Sequence, residues 1–265
     1  MLPENSRPTD KKGAYFGALF LRNWHAFQLH KREGLWIKVD SGKRDWGNMS
    51  EHCAVVAARA GTVARMLGLS PKTERELEQA GSLHDLSKKR QKITVTGAGL
   101  SYESFDKAAE ESEALLLSLG IGKEIVEIAG SCGHEALLGT INPTLKIPVN
   151  QMSELDKAKL VMFYVDTYSM GSGWVTPAST LDGQGENDLD RRIASNEKNP
   201  RYTTLNEAGR IHFDGKTSYQ AQLSAGKQVQ SLITYLINQR TGGNMDPINL
   251  PEEIDKRIKD EISAL

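Results

Sequence analysis

Cysteine is scarce in this chain, which has two among its 265 residues. Cys53 and Cys132 each lie inside an apolar helical pattern, and they do not form a C-x-x-C pair. This distribution excludes a disulfide framework and a zinc ribbon, both of which need several closely spaced cysteines. A reducing compartment suits such a chain, so we expect a cytoplasmic protein.

Long hydrophobic runs and a charge imbalance are also missing. The opening segment MLPENSRPTDKKG is polar where a signal peptide would be apolar, and no stretch approaches the length of a membrane span. We therefore expect a soluble, intracellular protein without membrane contact. A net charge of -1 gives no long-range attraction to nucleic acid, and no nucleic-acid-binding motif is present. Any anion must be bound by local groups.

Strand patterns are sparse, with one strand-like stretch at 34–42 (GLWIKVDSG). Elsewhere apolar residues recur at i, i+3, i+4 and i+7, which predicts amphipathic helices in an all-α fold. Ser50 and Ser70 are the predicted N-terminal caps of the first two helices, and Pro71 fits the first turn of the second. The segment 171–187 is predicted to be a long loop. The predicted helices cover 50–68, 70–85, 102–119, 122–132, 154–168, 188–198, 218–240 and 252–265.

Four polar residues occupy positions where a core is expected: His52, His84, Asp85 and Asp166. Asp166 interrupts the apolar run LVMFYVDTY, and a buried carboxylate costs several kcal/mol unless a cation or hydrogen-bond donors compensate it. Two imidazoles and two carboxylates form a ligand set suited to Mn, Fe or Zn. Taken singly, each histidine could be a hydrogen-bonded core residue, and Asp166 could pair with an arginine or a backbone amide.

The order H…HD…D, with HDLSK matching HD-x-x-K, resembles the HD-domain superfamily of metal-dependent phosphohydrolases from Trp46 to Ser169. The resemblance implies a helical bundle in which His52, His84, Asp85 and Asp166 bind the metal and Lys88 assists phosphate binding. It also implies three parts: an N-terminal extension at 1–45, a metal-binding helical core at 46–170, and a loop with C-terminal helices packed on that core at 171–265.

The resemblance leaves open whether one or two ions are bound. His134 matches the place where two-metal members carry an additional histidine, but the histidine they have one helix earlier is missing here. Glu110 could replace it, although an acidic residue on a helix is usually solvated surface. The expected cofactor is a divalent ion, Mn, Fe, Mg, Zn, Co or Ni, in one or two copies.

The expected activity is hydrolysis of a small-molecule phosphoester by metal-activated water, and the resemblance favours a nucleotide substrate. Asp85 would bind the ion and orient the reacting groups, Lys88 would neutralise phosphate charge, and Arg201 is a further candidate for substrate binding. Two alternatives remain: a two-iron oxygenase of the same superfamily, or a module that binds a nucleotide without turning it over. The oligomeric state is left open.

Overall fold

The fold is all-α, as predicted. The computed structural model describes residues 11–35, 48–92, 101–169, 189–198 and 203–265, and every regular element within these ranges is helical. Of the strand-like stretch at 34–42, residues 34 and 35 lie outside any helix or strand and the rest falls outside the described residues, as do the predicted loop at 171–187 and Arg201. The helices are α1 Lys11–Arg22, α2 Trp24–Arg32, α3 Asn48–Leu67, α4 Pro71–Leu83, α5 Tyr102–Ser118, α6 Lys123–Ala129, α7 Asn142–Leu145, α8 Glu154–Tyr168, α9 Leu189–Glu197, α10 Thr203–Ala208, α11 Ser218–Thr241 and α12 Leu250–Ala264.

Side-chain caps explain where several helices begin. The Ser70 hydroxyl accepts a hydrogen bond from the backbone N–H of Thr73, and Pro71 occupies the first turn, so the predicted start of α4 is confirmed. At the start of α8, Ser153 and Asp156 satisfy each other's backbone N–H groups in a capping box. Both helices therefore begin where local sequence chemistry dictates.

Two predicted boundaries differ from the structure. Ser50 lies within the first turn of α3, which begins at Asn48, and its hydroxyl donates to the Leu35 carbonyl at 3.0 Å instead of capping the helix. The helix predicted to reach Cys132 ends at Ala129. Cys132 consequently lies in the turn that follows, where Gly133 adopts a left-handed backbone conformation with φ of +71°.

The core is centred on α3, α4 and α8, which pack against one another. Small residues let α3 and α4 approach closely. A Cβ at Gly81 of α4 would lie 2.7 Å from the Ala57 Cα and 2.8 Å from its backbone nitrogen, both on α3. The end of α4 therefore lies close against the middle of α3.

We predict that Gly81→Ala destabilises the protein by about 1 kcal/mol, because overpacking against rigid backbone costs about 2 kcal/mol and the helix-propensity gain offsets about 1 kcal/mol of it. Gly17→Ala in α1 is the matched control, since nothing lies within 4 Å of its added Cβ. The control should be unchanged or slightly more stable. Urea unfolding of both variants checks this, and an undiminished stability of Gly81→Ala would contradict the close packing.

The terminal helices share this core. Leu19 of α1, Phe27 of α2 and Ile258 of α12 are buried in the same hydrophobic cluster as α3 and α4. His30 of α2 is fully buried, with its Nε2 2.6 Å from the Ser82 carbonyl oxygen of α4. The helices at both ends of the described chain therefore support the elements that carry His52 and His84.

Candidate metal centre

Three core helices bring the four predicted ligands to one place. His52 lies in the first half of α3, while His84 and Asp85 directly follow the last residue of α4. Asp166 lies in the last turn of α8. Because these helices pack directly on one another, residues separated by more than a hundred positions along the chain become neighbours.

Three donor atoms form a nearly equilateral triangle. The Asp166 Oδ1 lies 3.2 Å from the His52 Nε2 and 3.3 Å from the His84 Nε2, and the two Nε2 atoms lie 3.3 Å apart. Atoms that share one ion at about 2.1 Å are separated by roughly 3.0 Å in octahedral and 3.4 Å in tetrahedral geometry. The edges of the triangle lie within this range.

Asp85 lies next to the donor triangle, on the side of His84. Its Oδ2 lies 3.7 Å from the His84 Nε2, and ligand atoms of His52, His84 and Asp85 all lie within 4.8 Å of one another. The exposed fractions of the four side chains range from 1% for His84 to 14% for Asp166. His52, His84 and Asp85 therefore form a group that could hold a metal ion, and Asp166 contacts the two histidines without joining that group.

The orientation of His84 favours metal binding through Nε2. Its Nδ1 lies 2.9 Å from the Gly81 carbonyl oxygen, which can only accept a hydrogen bond. With an ion bound, the proton would be held on Nδ1 and the Nε2 lone pair would be directed at the ion. For His52, Nδ1 is buried and has no hydrogen-bond partner among the described residues, so its Nε2 makes the polar contacts.

The charges of the site stabilise one another. Burial alone raises the pKa of Asp166, but hydrogen bonds from His52 and His84 lower it well below its usual value. Burial likewise raises the pKa of Asp85, whereas Lys88 and then His84 lower it to about 2. Burial lowers the pKa of His84, but Cys53 and Asp85 raise it well above the ordinary value. Both carboxylates are therefore ionised and ready to bind a cation.

We predict a bell-shaped pH dependence of stability for the metal-free protein. The lowered pKa of Asp166 stabilises the fold above about pH 4, and this contribution is lost as the pH falls towards the folded-state pKa. The raised pKa of His84 stabilises the fold below about pH 6.5, and this contribution is lost as the pH rises. The melting temperature, measured in EDTA, should be highest between about pH 4 and about pH 6.5. A His84→Gln variant should lose the alkaline decline; an unchanged profile would contradict the pairing.

The neighbouring groups include two cysteines whose position near the site the sequence did not reveal. The Cys53 Sγ lies 3.8 Å from the His84 Nδ1. Although burial raises the pKa of Cys53, His84 and His30 lower it to about 6. Burial raises the pKa of Cys132, and the charges of Asp166 and Asp85 raise it further. The sequence did offer one indication for Cys53, since it directly follows the predicted ligand His52. It offered none for Cys132.

Lys88 lies at the rim of the site. Its Nζ is 3.1 Å from the Asp85 Oδ1, and its side chain is 49% exposed. The charges of Asp85, Glu135 and Asp166 raise its pKa, despite partial burial. Glu135 is a second neighbour that the sequence did not single out; Gly133 makes room for it, since an added Cβ there would meet the Glu135 carboxylate.

The predicted second-metal ligands are placed differently. The His134 ring lies beside Phe105, with centroids 5.4 Å apart, and its Nδ1 is 3.8 Å from a carboxylate oxygen of Glu135. Glu110 is exposed on α5. Among the described residues, neither joins the group of ligand atoms formed by His52, His84 and Asp85.

Comparisons with known proteins found no relative of this chain. No protein-family model, curated protein or solved structure matches the chain. Within the described residues, no helix has both the length and the apolar character needed to cross a membrane.

Proposed function

We propose that this protein is a metal-dependent phosphohydrolase of the HD-domain type that cleaves a phosphoester, preferentially of a nucleotide. The observation that supports it is the triangle of His52, His84 and Asp166 donor atoms, with edges of 3.2–3.3 Å. Asp85 is the fourth ligand in this proposal. The preference for a nucleotide comes from the resemblance in the HDLSK segment and not from a base-reading side chain.

The side chains around the triangle have distinct roles in the proposal. A divalent ion held there would supply a water of lowered pKa as the nucleophile. Asp85 is ionised, and it can orient a water or substrate while its Oδ1 pairs with Lys88. The exposed ammonium of Lys88 can neutralise charge that builds up on the phosphate oxygens. Lys88 is therefore the basic residue of this proposal, with an exposed side chain beside Asp85.

The direct test is metal content together with a substrate screen. Protein purified without chelator is analysed for bound metals, then assayed with Mn²⁺ against nucleoside mono-, di- and triphosphates and against simple phosphomonoesters. Phosphate or nucleotide release supports the proposal. Oxygen consumption in an iron-loaded sample would favour the oxygenase instead, and tight nucleotide binding without product would favour a sensor.

We predict that Lys88→Met lowers kcat/KM by about 100-fold, because loss of one group that stabilises developing charge typically costs about that much. Bound Mn²⁺ should be retained, since Lys88 is not a ligand in the proposal. Lys89→Met is the matched control, because Lys89 is the exposed neighbour with the same charge. Steady-state kinetics of both variants at fixed Mn²⁺ checks the prediction. Equal activity of the two variants would remove Lys88 from the mechanism.

A further inference from the structure

Arg59 is a charged residue buried in the core of the described protein, with a side chain that is 1% exposed. Its guanidinium donates to both carboxylate oxygens of Asp255, at 3.0 and 3.1 Å, and to the Ser169 hydroxyl at 2.8 Å. It also lies over the Tyr168 ring, 4.9 Å from the centroid. One side chain of α3 thus joins α8 and α12.

The contact with Ser169 reaches the turn that carries Asp166. Ser169 directly follows the last residue of α8, and its backbone N–H donates to the carbonyls of Val165 and Asp166, at 3.1 and 3.2 Å. The hydroxyl of the same residue is held by Arg59. Because a helix end frays unless its last groups are bonded, this contact fixes the final turn of α8.

Arg59 also shares a face of α3 with a ligand. It follows His52 by seven residues, which is two helical turns, so both side chains point towards the same side of the helix. Arg59 is therefore linked to two vertices of the donor triangle. It is on the same helix as His52, and it bonds Ser169, whose backbone N–H bonds the Asp166 carbonyl.

We propose that Arg59 is a positioning residue for the metal centre: through Ser169 it holds the Asp166 carboxylate at binding distance from His52, and Asp255 of the C-terminal helix fixes its guanidinium. This inference rests on the proposed metal site, and not on the identity of the substrate. It gives α12 a function beyond covering the core, since the helix supplies the carboxylate that neutralises Arg59.

The test measures Co²⁺ binding to the full-length folded protein by its visible absorption spectrum, well below the unfolding temperature. Ser169→Ala removes the acceptor hydroxyl without touching any ligand. We expect its Co²⁺ affinity to fall at least about tenfold, which is the usual scale for loss of an outer partner of a metal ligand. Asp255→Asn removes the negative charge that α12 places beside Arg59. It should also lower the Co²⁺ affinity.

Thr234→Val is the control, because Thr234 is also a buried hydroxyl but, within the described part of the chain, donates to the Gln230 carbonyl of its own helix and to no other helix. It should lower the melting temperature while leaving Co²⁺ affinity unchanged. If Ser169→Ala behaves like this control, Arg59 is only structural and the inference is overturned. If the unmodified protein binds no Co²⁺, both the inference and the proposed function fail. Binding without hydrolysis would overturn the hydrolase alone.

Discussion

Asp166→Ala is expected to abolish metal binding and Mn²⁺-dependent phosphate release together. The Asp166 oxygen is one vertex of the donor triangle, and without it Asp85 is the single carboxylate left beside the imidazoles of His52 and His84 to hold a cation. Since loss of an outer partner already costs about 10–100-fold in affinity, loss of a ligand should cost at least about 100-fold. Metal analysis after gel filtration and the phosphate-release assay measure both effects.

The matched control for this variant is Asp156→Ala on the same helix. Asp156 belongs to the capping box at the start of α8, so its loss should cost about 1 kcal/mol of stability while metal content stays unchanged. Asp85→Ala, in the turn that follows α4, should cause the same loss of metal and activity. Full retention of both by either ligand variant would refute the site.

The sequence indicated the candidate ligands because they are polar or charged groups at positions where the pattern predicts a core. Asp166 stands in an apolar run whose other members are buried, and His84 and Asp85 follow the end of a well-capped helix. A charged group at a core position must have a compensating partner, which makes it visible without a structure. The helices that carry these residues could be predicted because apolar spacing is a local property, as is the Ser70 cap of α4; the cap predicted at Ser50 for α3 was wrong.

Features that depend on distant pairing escaped the sequence. Arg59 lies in the run AARAG, and nothing nearby indicates that its partner is Asp255, on the last helix. Cys132 was placed on a helix because the apolar spacing continues past Ala129, whereas the left-handed Gly133 redirects the chain. Helices α1 and α2 were missed because their buried faces, around Leu19 and Phe27, are short and interrupted by polar residues. Only the packed structure decides these points.

Asp255→Ala should produce the largest loss of stability, about 3 kcal/mol or more, because it leaves the buried Arg59 guanidinium without its carboxylate. Glu253→Ala on the same helix is the control. Its ion pair with Arg257 is exposed and spaced i, i+4, so about 0.5 kcal/mol or less is expected. Urea unfolding at constant pH measures both losses, and similar values for the two variants would contradict a buried, fully formed pair.

The double variant Arg59→Met/Asp255→Leu separates stability from metal positioning. Apolar residues of similar volume often replace a buried ion pair without loss, so its stability should return close to that of the unmodified protein. Its Co²⁺ affinity should nevertheless remain low, because methionine cannot donate to the Ser169 hydroxyl that fixes the last turn of α8. A stable double variant with full Co²⁺ affinity would mean that Asp166 is placed by core packing alone.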